Sequence, residues 1–89
     1  MSTHGSHPAI IKRLKRASGH LNKVISMIED EAPCLEVAQQ LHAVVKALEN
    51  AKGVYVQDHI EHCIDGGMGA DKPQLTALLN DLKEVSKYL

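Results

Sequence analysis

An all-α fold is predicted by three observations. The chain has no Phe and no Trp, and only Tyr55 and Tyr88 as aromatic residues, so its core must be filled by Leu, Ile, Val and Ala, which suits helices more than a sandwich or barrel. Apolar residues recur at three- and four-residue steps along most of the sequence. Two clusters of helix-breaking residues divide it into three such stretches. At 89 residues and 9.7 kDa, residues 1–89 make one small domain, and a core of this size is hard to stabilise without a partner, a metal or disulfides.

The first helix is expected over about residues 8–30, behind a flexible tail of residues 1–8. Pro8 can open it, because the amide that proline lacks is unpaired in a first turn anyway. Ile10, Ile11, Leu14, Ala17, Leu21, Val24, Ile25 and Ile28 then form one apolar stripe expected to be buried. Glu29-Asp30-Glu31 and Pro33 break it, since the residue before a proline is pushed out of the α region. A long second helix starts near Pro33 or Cys34 and carries Leu35, Ala38, Leu41, Val44, Val45, Leu48, Ala51, Val54 and Tyr55 on to Ile60, with Gly53 its one strong breaker. Asp65-Gly66-Gly67-Met68-Gly69 ends it. Asp71 can cap a third helix with Pro73 in its first turn, and Leu75, Leu78, Leu79, Leu82, Val85 and Leu89 form its stripe.

The formal net charge of −1 hides a split along the chain. Residues 1–28 hold Lys12, Arg13, Lys15, Arg16 and Lys23 and no acid, a charge of +5; the remaining five bases and all eleven acids leave −6 beyond them. Charge placed in this way makes a polyanion-binding face on the first helix, opposite its apolar stripe. Lys12, Arg13, Lys15 and Arg16 form two i, i+3 pairs spread over a broad band, suited to phosphate contacts on duplex DNA. The lack of interleaved aromatics speaks against single-strand stacking. No apolar run approaches the roughly 20 residues of a spanning helix, and MSTHGSHP has no apolar leader core. The expectation is a soluble cytoplasmic protein without membrane contact, in which Cys34 and Cys63 are thiols or ligands rather than a bridge.

His59 and Cys63 are four residues apart, so they lie one turn apart on one helix face and can bind the same ion. Cys34 cannot join them from the same straight helix, because 25 residues at roughly 1.5 Å each put it about 38 Å from His59. If all three bind one ion, Cys34 comes from another subunit. A two-fold axis near residues 47 and 48 would lay two copies antiparallel, create two identical sites, and bury Leu41, Val44, Leu48 and Ala51 as a seam. A core thiol for Cys34 and a solvated imidazole beside a half-buried thiol for His59 and Cys63 are the ordinary structural alternatives.

The segments Gly19-His20-Leu21, Met27-Ile28-Glu29, Cys34-Leu35-Glu36-Val37, Gln39-Gln40-Leu41-His42-Ala43-Val44 and His59-Ile60-Glu61-His62-Cys63 resemble the copper-sensing operon repressor family, which also includes nickel/cobalt and formaldehyde sensors. The resemblance covers about residues 10–65. It implies a three-helix protomer with a long central helix, an antiparallel homodimer pairing into a flat homotetramer, and operator DNA bound without a helix-turn-helix and released when the effector binds. By this likeness Cys34, His59 and Cys63 match the trigonal site the copper branch uses for Cu(I), and soft thiolates with an imidazole suit that ion. The position before Cys34, often Tyr in copper sensors, is Pro33 here. An acidic residue that the family brings from the third helix falls near Leu79 in an ungapped alignment.

Nickel and cobalt sensors of the family add a histidine near the N-terminus, which makes His4 and His7 candidate ligands for Ni(II) or Co(II), with His4 the better match. His62, roughly 60 degrees from His59 around the helix, is a candidate spare ligand, although a solvated histidine is the commoner outcome. His20 and His42 read as packing groups. Arg13 matches a DNA-contacting family position most directly, and Lys52 falls near the same surface. Cys63 argues against the formaldehyde branch and His59 against a persulfide-sensing branch. Outside the family, a metal carrier without DNA binding would use the same thiolates but leave the basic segment without a role. A thiol enzyme with Cys63 as nucleophile and His59 as base ranks last, since the sequence supplies no oxyanion hole.

Overall fold

A computed structural model describes residues 5–89 and contains α1 (His7–Glu29), α2 (Cys34–Gly67) and α3 (Lys72–Val85), followed by a 3-10 turn at Ser86–Tyr88. There is no strand among the described residues, and none of their helices is long and apolar enough to cross a membrane. The expected all-α class and the three helices agree with this. The first helix begins one residue earlier than expected, so His7 and Pro8 are its opening turn rather than tail.

The chain divides into two compact units. One comprises Pro8–Ala51, most of α1 and the first half of α2. On α1, Ile10, Ala17 and Val24 are buried at intervals of seven, nearly one line along the helix, and on α2 Val44 and Ala51 are buried at the same interval. His20 Nε2 and Gln40 Oε1 meet at 2.6 Å and join the two helices. The rest of the apolar stripe on α1 is not buried in the single chain: Ile11, Leu14, Leu21, Ile25 and Ile28 are all exposed, Ile28 by 58%. A single neighbouring helix covers one flank of so wide an apolar arc and leaves the other open. The seam expected on α2 is split in the same way, with Val44 and Ala51 covered inside the unit while Leu41 and Leu48 stay exposed.

The stop after α1 has a cause beyond Pro33. Glu31 adopts a positive φ of 57°, its amide donates to Ile28 O at 3.1 Å, and the Ala32 amide donates to Met27 O at 2.9 Å. This is a Schellman closure with a glutamate where glycine is usual. α2 then opens on the Pro33 carbonyl, which accepts from the Val37 amide at 3.1 Å, so Cys34 is the first residue of the helix.

The second unit joins the described residues up to His7 with Lys52–Leu89. Val56 and Cys63 are its buried line on α2. α2 runs through Gly66 and Gly67 and ends there, with Gly69 at φ +77° making the turn that an L side chain resists. Asp71 caps α3 as expected: its side chain accepts from the Gln74 amide at 2.9 Å while Gln74 accepts from the Asp71 amide at 3.4 Å, a capping box with Pro73 in the first turn. Leu75 and Leu78 of α3 lie over Gly67 and Gly66, where a Cβ would come within 3.4 and 3.7 Å of their methyl carbons. Leu75 and Leu78 thus seat α3 against the end of α2, which positions the side chains described next.

Candidate metal centre

His59 and Cys63 project from one face of α2, as their four-residue spacing requires, and Asp81 of α3 faces them. A ring nitrogen, the sulfur and a carboxylate oxygen lie within 4.8 Å of one another. His59 is half-buried, Cys63 is buried with 5% of its surface exposed, and Asp81 is exposed. His59 Nε2 lies 2.5 Å from Asp81 Oδ2, and the Cys63 thiol donates to the same oxygen at 3.3 Å. A carboxylate can only accept, so Nε2 carries the proton and Nδ1 is the imidazole nitrogen left with a lone pair.

The distances separate supporting from ligating roles. Two donors on one tetrahedral ion, each about 2.1 Å from it, stand about 3.4 Å apart. At 2.5 Å, Nε2 and Oδ2 are a charge-assisted hydrogen bond rather than two ligands of one ion. Asp81 therefore holds the ring from outside, and Nδ1 and Cys63 Sγ are the N and S atoms that could serve as donors to an ion. Electrostatics agree. Burial above all, then the hydrogen bond and charge of Asp81, push the Cys63 thiol above its ordinary range. The hydrogen bonds from His59 and then from Cys63 hold the Asp81 carboxyl below its own. The donor pair is thus a neutral thiol and an imidazole anchored on a carboxylate.

The acidic residue from the third helix is Asp81 and not the position at Leu79, which is 55% exposed and apolar. The Asp71 cap sets the register of α3, and an ungapped reading across the Gly-rich turn falls two residues short of it. One signal in the sequence points to Asp81: it is three residues after Leu78 and four before Val85, the acid nearest the stripe of α3.

The other expected ligands lie elsewhere. Cys34 is exposed and is not a member of the cluster. It lines an apolar groove with Ile28, Glu31, Ala32, Val37, Ala38 and Leu41. His4 lies outside the described residues. His7 stacks on Tyr55, with ring centroids 5.4 Å apart and planes 17° from parallel, and its Nε2 lies 3.5 Å from Asp58 Oδ2. His62 is half-buried on the flank of α2 beside His59 and Cys63. The basic residues Lys12, Arg13, Lys15, Arg16 and Lys52 are all exposed. Arg13 and Arg16 share one cleft with Ala47 and Asn50.

An oriented imidazole, a buried thiol and a carboxylate, brought together by two helices of an all-α chain, form a group that could hold a metal ion. The comparisons with known proteins agree, and the chain belongs to the family of metal-sensitive transcriptional repressors, whose pattern matches residues 6–89. It is similar to the copper-sensing transcriptional repressor CsoR of Mycobacterium ulcerans, with 36% identity over 90% of this chain and 67% of that one. It is also similar to CsoR of Mycobacterium tuberculosis, at 40% identity over 62% of this chain and 46% of that one, so the match spans about half the length of some of these relatives. Among solved structures, the nickel-responsive transcriptional regulator InrS has the same fold, with a TM-score of 0.80 and 29% identity over 100% of this chain and 98% of that one.

Proposed function

We propose that the chain is a Cu(I)-responsive transcriptional repressor, bound to operator DNA without metal and released when Cu(I) joins Cys34 of one protomer to His59 and Cys63 of another. The observation that carries this reading is the Asp81 carboxylate on Nε2 of His59, which leaves Nδ1 and the Cys63 sulfur as a soft donor pair. Cu(I) favours thiolate and imidazole at low coordination number, so one further thiolate completes a trigonal set. Cys34 is the other thiol of the chain and it is exposed. The spacing along a straight helix puts it out of reach of its own His59, so a neighbouring copy supplies it.

A second copy also answers the packing. Leu14, Leu21 and Ile25 on α1 and Leu41, Val45 and Leu48 on α2 are exposed, and soluble monomers rarely leave contiguous apolar faces of that kind uncovered. Homodimer and homotetramer formation would cover them. The exposed Lys12, Arg13, Lys15, Arg16 and Lys52 supply the duplex-DNA surface. Different affinities of the two assemblies for the ion, worth typically about 1–3 kcal/mol of coupling free energy, suffice to drive release.

Gel-shift titration against the protein's own upstream DNA tests this reading. The reduced apo protein is expected to shift the fragment and Cu(I) to release it, whereas Cys34→Ala and His59→Ala bind DNA and stay bound with Cu(I) present. Absence of any shift at low salt removes the repressor, and normal release by either variant removes the ligand assignment. The likeness to nickel-responsive InrS favours one second reading, a repressor of the same kind answering to Ni(II) or Co(II). Competitive titration with Cu(I), Ni(II), Co(II) and Zn(II), read together with DNA affinity, decides which ion is the effector.

A further inference from the structure

His20 and Gln40 belong neither to the metal centre nor to the basic band, yet they make a polar link between α1 and α2 within the unit Pro8–Ala51. His20 Nε2 stands 2.6 Å from Gln40 Oε1, and both residues are half-buried. An amide oxygen only accepts, so Nε2 carries the proton and donates it. Such a bond is directional and admits one geometry, whereas the apolar contacts around it admit many.

The apolar line beside this bond repeats itself. Ile10, Ala17 and Val24 of α1 and Val44 and Ala51 of α2 are buried at seven-residue intervals, so a slip of one helix along the other by that interval exchanges one small aliphatic contact for another. A seam of this kind does not fix its own register. One polar pair set into it does, as a single buried asparagine fixes the register of a coiled coil.

Register matters because of what lies two turns away. Seven residues back from His20 on α1 is Arg13, and seven residues on from Gln40 on α2 is Ala47; these two line one cleft with Arg16 and Asn50. The hydrogen bond and the cleft thus follow from one antiparallel register, and both helices supply the walls of the cleft. Seven residues at roughly 1.5 Å each put the bond about 10 Å from it along the helices. Arg13 and Arg16 are exposed, and where their guanidinium groups meet a phosphate is set by how α1 lies on α2.

We propose that the His20–Gln40 hydrogen bond locks the register of α1 on α2 and is a positioning pair for DNA binding, holding Arg13 and Arg16 against Ala47 and Asn50 in the spacing that meets the phosphates of a duplex. Both residues act through the arginines and contact neither phosphate nor metal. The proposal rests on the repressor reading above, and the test separates the two.

The full reduced apo chain is compared with His20→Leu, Gln40→Met, the double variant and His20→Gln by gel-shift titration against the protein's own upstream DNA, Cu(I) competition and urea unfolding. Replacing both partners with apolar side chains leaves no polar group unpaired, so the double variant is expected to unfold at a urea midpoint near that of wild type. Its DNA affinity should nevertheless fall about tenfold, with Cu(I) affinity unchanged. Either single variant should lose as much DNA affinity as the double, because each breaks the same bond. His20→Gln, which keeps a donor for Gln40 Oε1, should retain wild-type DNA binding. Wild-type DNA affinity in the double variant and in Gln40→Met overturns the positioning role. So does a loss that His20→Gln shares, or one confined to variants whose urea midpoint has fallen. Failure of the wild-type chain itself to shift DNA at low salt removes the repressor reading, and this role with it.

Discussion

His59 and Cys63 converge on a single oxygen of Asp81, the imidazole Nε2 at 2.5 Å and the thiol sulfur at 3.3 Å. One carboxylate from α3 therefore holds both N and S donors of α2, fixing the ring and keeping the sulfur protonated. Removing a hydrogen bond to an outer carboxylate of this kind typically changes metal affinity about 10–100-fold.

Asp81→Asn keeps the size of the side chain and removes its charge. Cu(I) affinity is expected to fall by roughly ten- to a hundredfold, and the Cys63 thiol to titrate closer to its ordinary range, because one of the causes raising it is gone. Competitive Cu(I) titration and ultraviolet absorbance of the thiolate check the two halves. Unchanged affinity together with an unchanged thiol titration would leave Asp81 with no influence on the site.

The pH dependence follows from the same shifts. Cys63 must lose a proton to bind metal and holds it above its usual range, so Cu(I) affinity should rise with pH by about tenfold per unit for each proton displaced, until the thiols ionise unaided. Stability moves at both ends of the scale. The raised Cys63 thiol contributes stability that is full below the ordinary thiol range and is lost as pH rises through its folded value. The lowered Asp81 carboxyl contributes stability present above the ordinary carboxyl value of about 3.9 and lost as pH falls through its folded value. Thermal melts of the apo protein from acid to alkaline pH should show both declines, and Asp81→Asn should flatten the acid one.

Legibility from sequence ends where packing between elements begins. The helices and the Asp71 cap are written in local residue types, and the His59/Cys63 pair in a four-residue interval, because both depend on neighbours along the chain. Asp81 escapes such a reading because its partnership runs across the Gly-rich turn, beyond which the Asp71 cap starts α3 in a register that local spacing does not reveal. The expectation that all of Ile11, Leu14, Leu21 and Ile25 are buried fails in the single chain for a related reason. Periodicity shows that a face is apolar but not whether its own chain or another covers it.

Arg13 and Arg16 share a cleft with Asn50, so a phosphate seated there would meet two guanidinium groups at once. Arg13→Ala should weaken operator binding and make its logarithmic salt slope shallower by about 0.9 for every phosphate that each protomer no longer neutralises. Metal affinity should be nearly unaffected. Fluorescence anisotropy across a salt series measures the slope, and an affinity equal to wild type at every salt concentration would take α1 out of the DNA surface.

Glu31 combines two unfavourable features at one position. Its φ of 57° lies in the left-handed region, where a residue with a Cβ costs roughly 1–2 kcal/mol, and with Glu29 and Asp30 it places negative charge at the C-terminal end of α1, where the helix dipole favours positive charge. Glycine removes both, retaining the backbone bonds from the residue 31 amide to Ile28 O and from the Ala32 amide to Met27 O, against a smaller opposing effect from the greater freedom of the unfolded chain. Glu31→Gly is therefore expected to stabilise the apo protein by about 1 kcal/mol, read as a higher midpoint in urea with an unchanged slope. A lower midpoint would mean that the glutamate side chain makes an interaction worth more than the strain it imposes, and the groove it lines with Cys34 is where that interaction would have to be sought.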